Sequence, residues 1–418
     1  MKTIFYYMHK NFVFTIFITA LIMFTSCSSD DADIFVPTEE LLPPIALDCD
    51  FFEVDRVLEN DPQRPVDYII SCYANVQGSL EIRPGVVIEF ENHAGLYVNL
   101  NSQLFEIKGT VSEPVILSGT SKQNGYWRGI FLTEAHNTNN LIEHTIIEYA
   151  GSQNLTSTSP IYEGSLAIRG VSGTTPQALT LNHVAIKDGG SVGLDYHRLE
   201  RNAAVSTSNL TITGHADVPV KVSAEMAHVF NSTSTYSGNA LDFFNITTSH
   251  YEIADQTVSW EKLDVPYLVD GRVHIKENGH LTIEAGVEMQ LKSGAYIQPY
   301  GLLPPYNLSL QILGTAEAPV HLKAYNGTNW GGIQFGFTQE NNRIEHAIIE
   351  HAKGDFSSGN ELNTGAIFMH ARPKLTVSNT IFKDLPNCAF YGSSTDPFEN
   401  LTTANVLFEN VAQEYCEE

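Results

Sequence analysis

GSLEIRPGVVI, starting at Gly78, returns as GHLTIEAGVEM, starting at Gly279, 201 residues further along the chain. Apolar residues two apart, such as Leu80 and Ile82, mark a strand with one face turned inward. Working outward from this pair, three more matches keep the same order. YWRGI ending at Ile130 returns as NWGGI ending at Ile333, and LIEHTIIEYA from Leu141 returns as RIEHAIIEHA from Arg343. LTLNHVAIKD from Leu179 returns as LTVSNTIFKD from Leu375. Trp127 and Trp330 are 203 residues apart, Glu143 and Glu345 are 202 apart, and Leu179 and Leu375 are 196 apart. Ordered matches with so little slippage predict one unit of about 200 residues copied in tandem.

Around these matches lie short runs such as SLEI, VVIEF, GLYVNL, LFEIKG and PVILSG, separated by Gly, Pro, Asn or Ser. They recur every 8 to 12 residues, the spacing of an all-β chain of short strands. Long segments of 3.6-residue period are missing, so helices are expected to be incidental. Sandwiches and barrels share this spacing. Three features favour a right-handed parallel β-helix, a solenoid built from two tandem copies: the near-constant length of the repeat, inward pairs such as Leu179 with Leu181, and NG, GT and SG turns suited to coil corners.

The run WEKLDVPYLVDGRVHIKENGHLTIEAGVEMQL from Trp260, followed by LGTAEAPVHLKA, WGGIQF and NNRIEHAIIEHAKG, resembles the right-handed parallel β-helix repeats of exported Bacteroidetes and archaeal proteins. These are relatives of the pectate-lyase-like superfold. DYIISCYANVQGSLEIRPGVVIEF, GTVSEPVILSG and YWRGIFL carry the same signature in the first copy, so the resemblance covers roughly residues 66 to 418. The fold is expected to follow, with a first copy and its N-terminal cap over residues 47–250 and a second copy with a C-terminal cap over 251–418. That superfold serves lyases, hydrolases, adhesins and stalks alike, so it does not by itself assign a function.

At the N-terminus, Lys2 and Lys10 precede a 13-residue run from Phe12 to Phe24 that is too short to span a bilayer and suits a signal h-region. With TSC and SSDDAD after it, the start resembles a bacterial lipoprotein signal. The resemblance implies a signal peptide over residues 1–26 and lipidation of Cys27. The acidic run from Ser28 resembles the tag that sends Bacteroidetes lipoproteins to the outer face of the outer membrane, so a lipid anchor with an extracellular orientation is expected. Residues 27–46, with five acids, three prolines and no basic residue, read as a solvated tether.

The chain carries 23 Lys and Arg against 48 Asp and Glu, a formal charge of −25. Such a balance repels nucleic acid and anionic headgroups, and it leaves an acidic glycan only a divalent metal or a local basic patch to bind through. Besides Cys27 there are four cysteines, an even number in an oxidising compartment. Of three connectivities, proximity favours Cys49 with Cys72 and Cys388 with Cys416, one staple at each end of the folded region.

Glu143 with His144 and Glu345 with His346 are chemically usable proton-transfer couples. Both copies carry them, and a residue inherited by every copy is expected to build the rung. The same holds for Trp127 and Trp330. Segments where the copies differ are better candidates. DYHRLER places Asp195, Tyr196, His197, Arg198, Glu200 and Arg201 together, and it aligns with YGSSTDP from Tyr391, which has no basic residue. Pectate-lyase-like enzymes use an arginine or lysine base beside acids that hold calcium, so Asp195, His197, Arg198, Glu200 and Arg201 are the weak catalytic candidates, although no lyase motif maps onto them. AYIQPYGLLPPYNLSL from Ala295 reads as a protruding insert that would expose Tyr296, Tyr300 and Tyr306 for binding.

HExxH, P-loop and GxGxxG signatures are all absent. No cofactor and no metal site is expected, a single calcium ion being left open. The sequence therefore predicts a monomeric, lipid-anchored surface protein whose β-helix is a non-catalytic binding or structural module, with a glycan or a cell-surface protein as partner. A polysaccharide lyase or glycoside hydrolase of the same superfold is the alternative.

Overall fold

Alternation of inward and outward residues fixes how each strand sits, and the ladders fix how the strands stack. In the computed structural model, which describes residues 41–170, 175–248, 252–302, 304–338, 341–354 and 365–417, the ladders are parallel throughout. The expected signal peptide, Cys27 and the tether up to residue 40 lie outside the described residues. Leu41–Glu418 forms one unit, and Ile45 and Ala46, expected in the tether, already pair with Tyr68 and Ile69. No described helix is long and apolar enough to cross a membrane.

Each coil has three faces. The first runs through Arg56–Leu58, Leu80–Ile82, Phe105–Lys108, the start of Leu141–Glu148, the start of Ala178–Lys187, and Ala204–Ser208. The second runs through Ile45–Leu47, Tyr68–Ile70, Val87–Phe90, Val115–Gly119, the ends of the same two long strands, and Thr211–Thr213. The third runs through Tyr73–Val76, Gly95–Leu100, Gly129–Ala135, Leu166–Ile168, Leu194–Tyr196, Val220–Ser223 and Phe244–Thr247.

The long strands turn from the first face to the second at His144 and His183, whose φ angles are 43° and 53°. Histidine, asparagine and aspartate enter this left-handed region more readily than other side-chain-bearing residues. The two rings stack at 4.6 Å. His346 and Asn379 occupy the matching corner further on, with φ of 46° and 49°. The repeated Glu-His pair is thus a coil corner. Trp127 and Trp330 are likewise fully buried, and their indole N–H groups donate to the carbonyls of Glu148 and Glu350, each at 2.7 Å. Glu148 pairs with Lys187 at 3.0 Å and Glu350 with Lys383 at 3.1 Å, so these repeated residues hold neighbouring rungs together.

One core runs through the whole solenoid, but its faces change identity between the halves. Phe244–Thr247, on the third face, pairs with Tyr267–Asp270, and that ladder continues through Glu288–Leu291, Val320–Ala324 and Ala347–Glu350. These are the middle strands of their coils. Arg272–Ile275 then opens a new third face through Tyr296–Pro299, Gly332–Phe335 and Gly365–Met369. Rings fill this junction: Phe244 lies 5.1 Å from Phe230 and 5.3 Å from Tyr267, which stacks on Trp260 at 5.5 Å.

Both staples form as expected, Cys49 with Cys72 and Cys388 with Cys416. The first fastens the short 3-10 turn Cys49–Glu53, which places Phe52 over the N-terminal end of the core. The second fastens the final strand Leu407–Glu417, most of which is exposed. An unpaired last strand is prone to fraying and to pairing with other chains, so a covalent tie there has a physical purpose.

Candidate functional site

On the third face, alternate residues point away from the core, and register stacks them rung on rung. The outward series runs Asn75, Tyr97, Phe131, Ala167, Asp195, Lys221 and Asn245. Ala167 is the small member, and Tyr162 packs against it and Phe131, together with Leu155, as a second apolar cluster outside the coil. Tyr162 and Leu155 come from the long connection between Leu141–Glu148 and Leu166–Ile168. That connection folds back on itself: Leu155 N–H donates to Tyr162 O at 2.7 Å, and Thr156 Oγ1 donates to Pro160 O at 3.0 Å.

The result is a cavity of about 310 Å³. Tyr73, Tyr97, Phe131 and Tyr162 form its aromatic wall, Thr156 to Pro160 its rim, and Arg128 and Arg169 its charged edge. Successive ring centres along the face are 5.9 Å (Tyr73 to Tyr97), 5.7 Å (Tyr97 to Phe131) and 5.1 Å (Phe131 to Tyr162) apart. Arg128 lies 4.3 Å over the Tyr73 ring, and its Nε and one terminal nitrogen donate to Asn154 O at 2.9 and 2.7 Å. Tyr73 donates its hydroxyl to Leu155 O at 3.1 Å. Burial pushes both phenols up; the Tyr162 hydroxyl rises to about 12 even though the Gly170 N–H it accepts works the other way. Both are therefore neutral hydrogen-bonding groups at ordinary pH.

The segment Asp195 to Arg201 divides. Asp195 is fully buried; its carboxylate accepts from His197 Nδ1 at 2.6 Å, from His197 N at 3.1 Å and from Glu163 N at 3.2 Å. The His197 ring sits 4.7 Å from Tyr162, behind the groove wall and outside the groove lining. Tyr196 points into the core. Arg198 has its Nε buried without a hydrogen-bond partner, and its charge lowers the Tyr162 hydroxyl. Arg201 turns to the surface, bonding Ala254 O at 3.0 Å and Asp255 at 3.3 Å. Glu200 is half-buried and lines none of this cavity. The expected charged constellation therefore does not converge. Strand alternation sends neighbouring residues to opposite sides, and Asp195 with His197 acts as a brace for Tyr162.

The expected tyrosine insert is also corrected. Tyr296 lies within the strand Tyr296–Pro299 and is buried against Phe368 and Tyr391. Tyr300 and Tyr306 are half-buried, 5.6 and 5.5 Å from the Phe337 ring. They do not form a protruding aromatic face, because both rings pack on Phe337 while Leu302, Pro304 and Pro305 are the exposed residues of the segment.

Among the described residues, no group of three or more His, Cys, Asp or Glu is placed to hold a metal ion. Tyr73, Tyr97, Phe131, Tyr162, Arg128 and Arg169 escaped the sequence reading. The outward position of GLYVNL and GIFL, aligned rung on rung, was the available signal for Tyr97 and Phe131. Neither a protein-family model nor a curated protein matches this chain, so the meaning of the groove rests on its geometry.

Proposed function

We propose that this protein is an outer-membrane lipoprotein, anchored through Cys27 and facing the cell exterior, whose β-helix is a non-catalytic module that binds a glycan along its third face. The observation that carries this reading is the groove itself, where Tyr73 and Tyr97 from neighbouring rungs face a hydroxyl-rich rim and two arginines. Rungs repeat at about 4.8 Å, close to the length of one sugar unit in a chain. Tyr73 and Tyr97, half-buried on neighbouring rungs, offer a sugar ring apolar surface to lie against, Phe131 and Tyr162 being buried behind them, and a rim of Thr156, Ser157, Thr158 and Ser159 supplies hydroxyl groups for the polar edges. The likeness to β-helix repeats of exported proteins fits an extracellular address.

The lyase or hydrolase alternative needs convergent acids and a base on the bound chain. The groove lining holds no Asp or Glu, and Asp195 with His197 stands behind Tyr162, so this reading is not adopted. A glycan array probed with the full-length protein, repeated with Tyr97→Ala, tests the proposal. Saccharide binding that weakens about tenfold in the variant, with the melting midpoint lowered by no more than about 3 °C, is the expected result. A blank array, or a variant that binds like the wild type, refutes it.

A further inference from the structure

Resting on that reading, we infer that the groove selects saccharides carrying a negative group, a carboxylate or a sulfate. The chain has more than two acids for each base, and its arginines are commonly tied to them, as Arg64 is to Asp61, Arg83 to Glu81 and Arg372 to Glu399. Arg128 and Arg169 have no acidic partner among the described residues, as Arg56, Arg198 and Arg272 have none elsewhere in the fold. Of these, Arg128 and Arg169 line the groove together.

The acids nearest in the fold are already engaged. Glu163 holds Lys221 at 3.0 Å, and Asp195 holds His197. Arg169 is exposed and makes no side-chain hydrogen bond among the described residues. Arg128 is fixed in orientation by the Tyr73 ring and Asn154 O, which leaves one of its terminal nitrogens unused. A planar guanidinium with free N–H groups matches a carboxylate or sulfate two-pronged, and a hydrogen bond between charged partners is about twice as strong as a neutral one. A protein of charge −25 repels anions at long range, so binding one requires such a local site.

Calorimetry on the full-length protein can compare a glucuronate-containing oligosaccharide with its carboxyl-reduced, neutral counterpart, and a chondroitin sulfate oligosaccharide can tell sulfate from carboxylate recognition. The acidic forms are expected to bind at least about tenfold more tightly than the reduced one. Arg169→Gln should weaken binding of the acidic forms by more than that of the reduced sugar, so that the margin between them is lost, and Arg169→Lys should restore part of it. Equal affinity for charged and reduced forms, or an Arg169→Gln variant that keeps the margin, overturns the selectivity while leaving the groove as a saccharide site. Absence of binding by every probe overturns both.

Discussion

Replacing Trp127 and Trp330, one at a time, separates scaffold from binding surface. Each indole is fully buried and donates at 2.7 Å to the backbone carbonyl of an equivalent glutamate, Glu148 or Glu350. Tryptophan to phenylalanine removes the donor and one ring. Leaving a buried acceptor unpaired costs ~1–3 kcal/mol, and the lost apolar area adds ~1 kcal/mol, giving ~3 kcal/mol in all. At ~2.1 cal/mol/K of unfolding entropy per residue, the Leu41–Glu418 unit has ~0.8 kcal/mol/K, so the melting midpoint should fall by ~3–4 °C in either variant. Truncation to alanine should cost ~3–5 kcal/mol, with the larger loss at Trp127, which also stacks on Phe90 at 4.2 Å. Differential scanning calorimetry reads the midpoints, and the glycan array reads binding. A shift below ~1 °C accompanied by lost saccharide binding would refute the scaffold assignment and make the tryptophans a recognition surface.

Three further outcomes are expected. Cys27→Ser should move the protein from the membrane fraction to the soluble fraction, and retention in membranes counts against lipidation. Opening the Cys388–Cys416 bridge with Cys388→Ser and Cys416→Ser removes a 28-residue loop constraint worth ~3.5 kcal/mol, and it should speed amide exchange in Leu407–Glu417 well before the central rungs; uniform exchange would contradict a local staple. Glu225, 2% exposed, has its carboxyl pushed from 4.5 up to about 8 by burial, with Arg201 pulling the other way. The folded chain then keeps a proton that the unfolded chain releases near pH 4.5, so stability is lost as pH rises from about 4.5 to about 8. Glu225→Gln should flatten that fall between pH 5 and pH 8, and identical pH profiles of the midpoint would refute the assignment.

Strand alternation explains what was legible. Leu80 with Ile82 and Leu179 with Leu181 are inward in the sequence pattern and buried in the fold. The repeated Glu-His and Trp elements proved to be a corner and a core ring, as expected of residues that recur along the sequence. Alternation tells which side of a strand a residue occupies, but whether the outer side meets water depends on what lies over it. Asp195 is outward and yet fully buried, because the connection carrying Glu163 and Tyr162 covers it. Tyr296 is outward and buried because rings from later strands, Phe368 and Tyr391, pack against it.

By itself the sequence pointed to a parallel coil of short strands and to inward pairs such as Leu80 with Ile82, and it favoured the two cysteine staples, since these follow from local periodicity and from proximity along the chain. Only the tertiary structure decided the change of faces at Phe244–Thr247 and Tyr267–Asp270, and the meeting of Tyr73, Tyr97, Phe131 and Tyr162 with Arg128 and Arg169. Those residues come from successive coils separated by connections of unequal length, so no fixed spacing announces them. Register between rungs places them on one line, and a non-local connection walls that line into a groove.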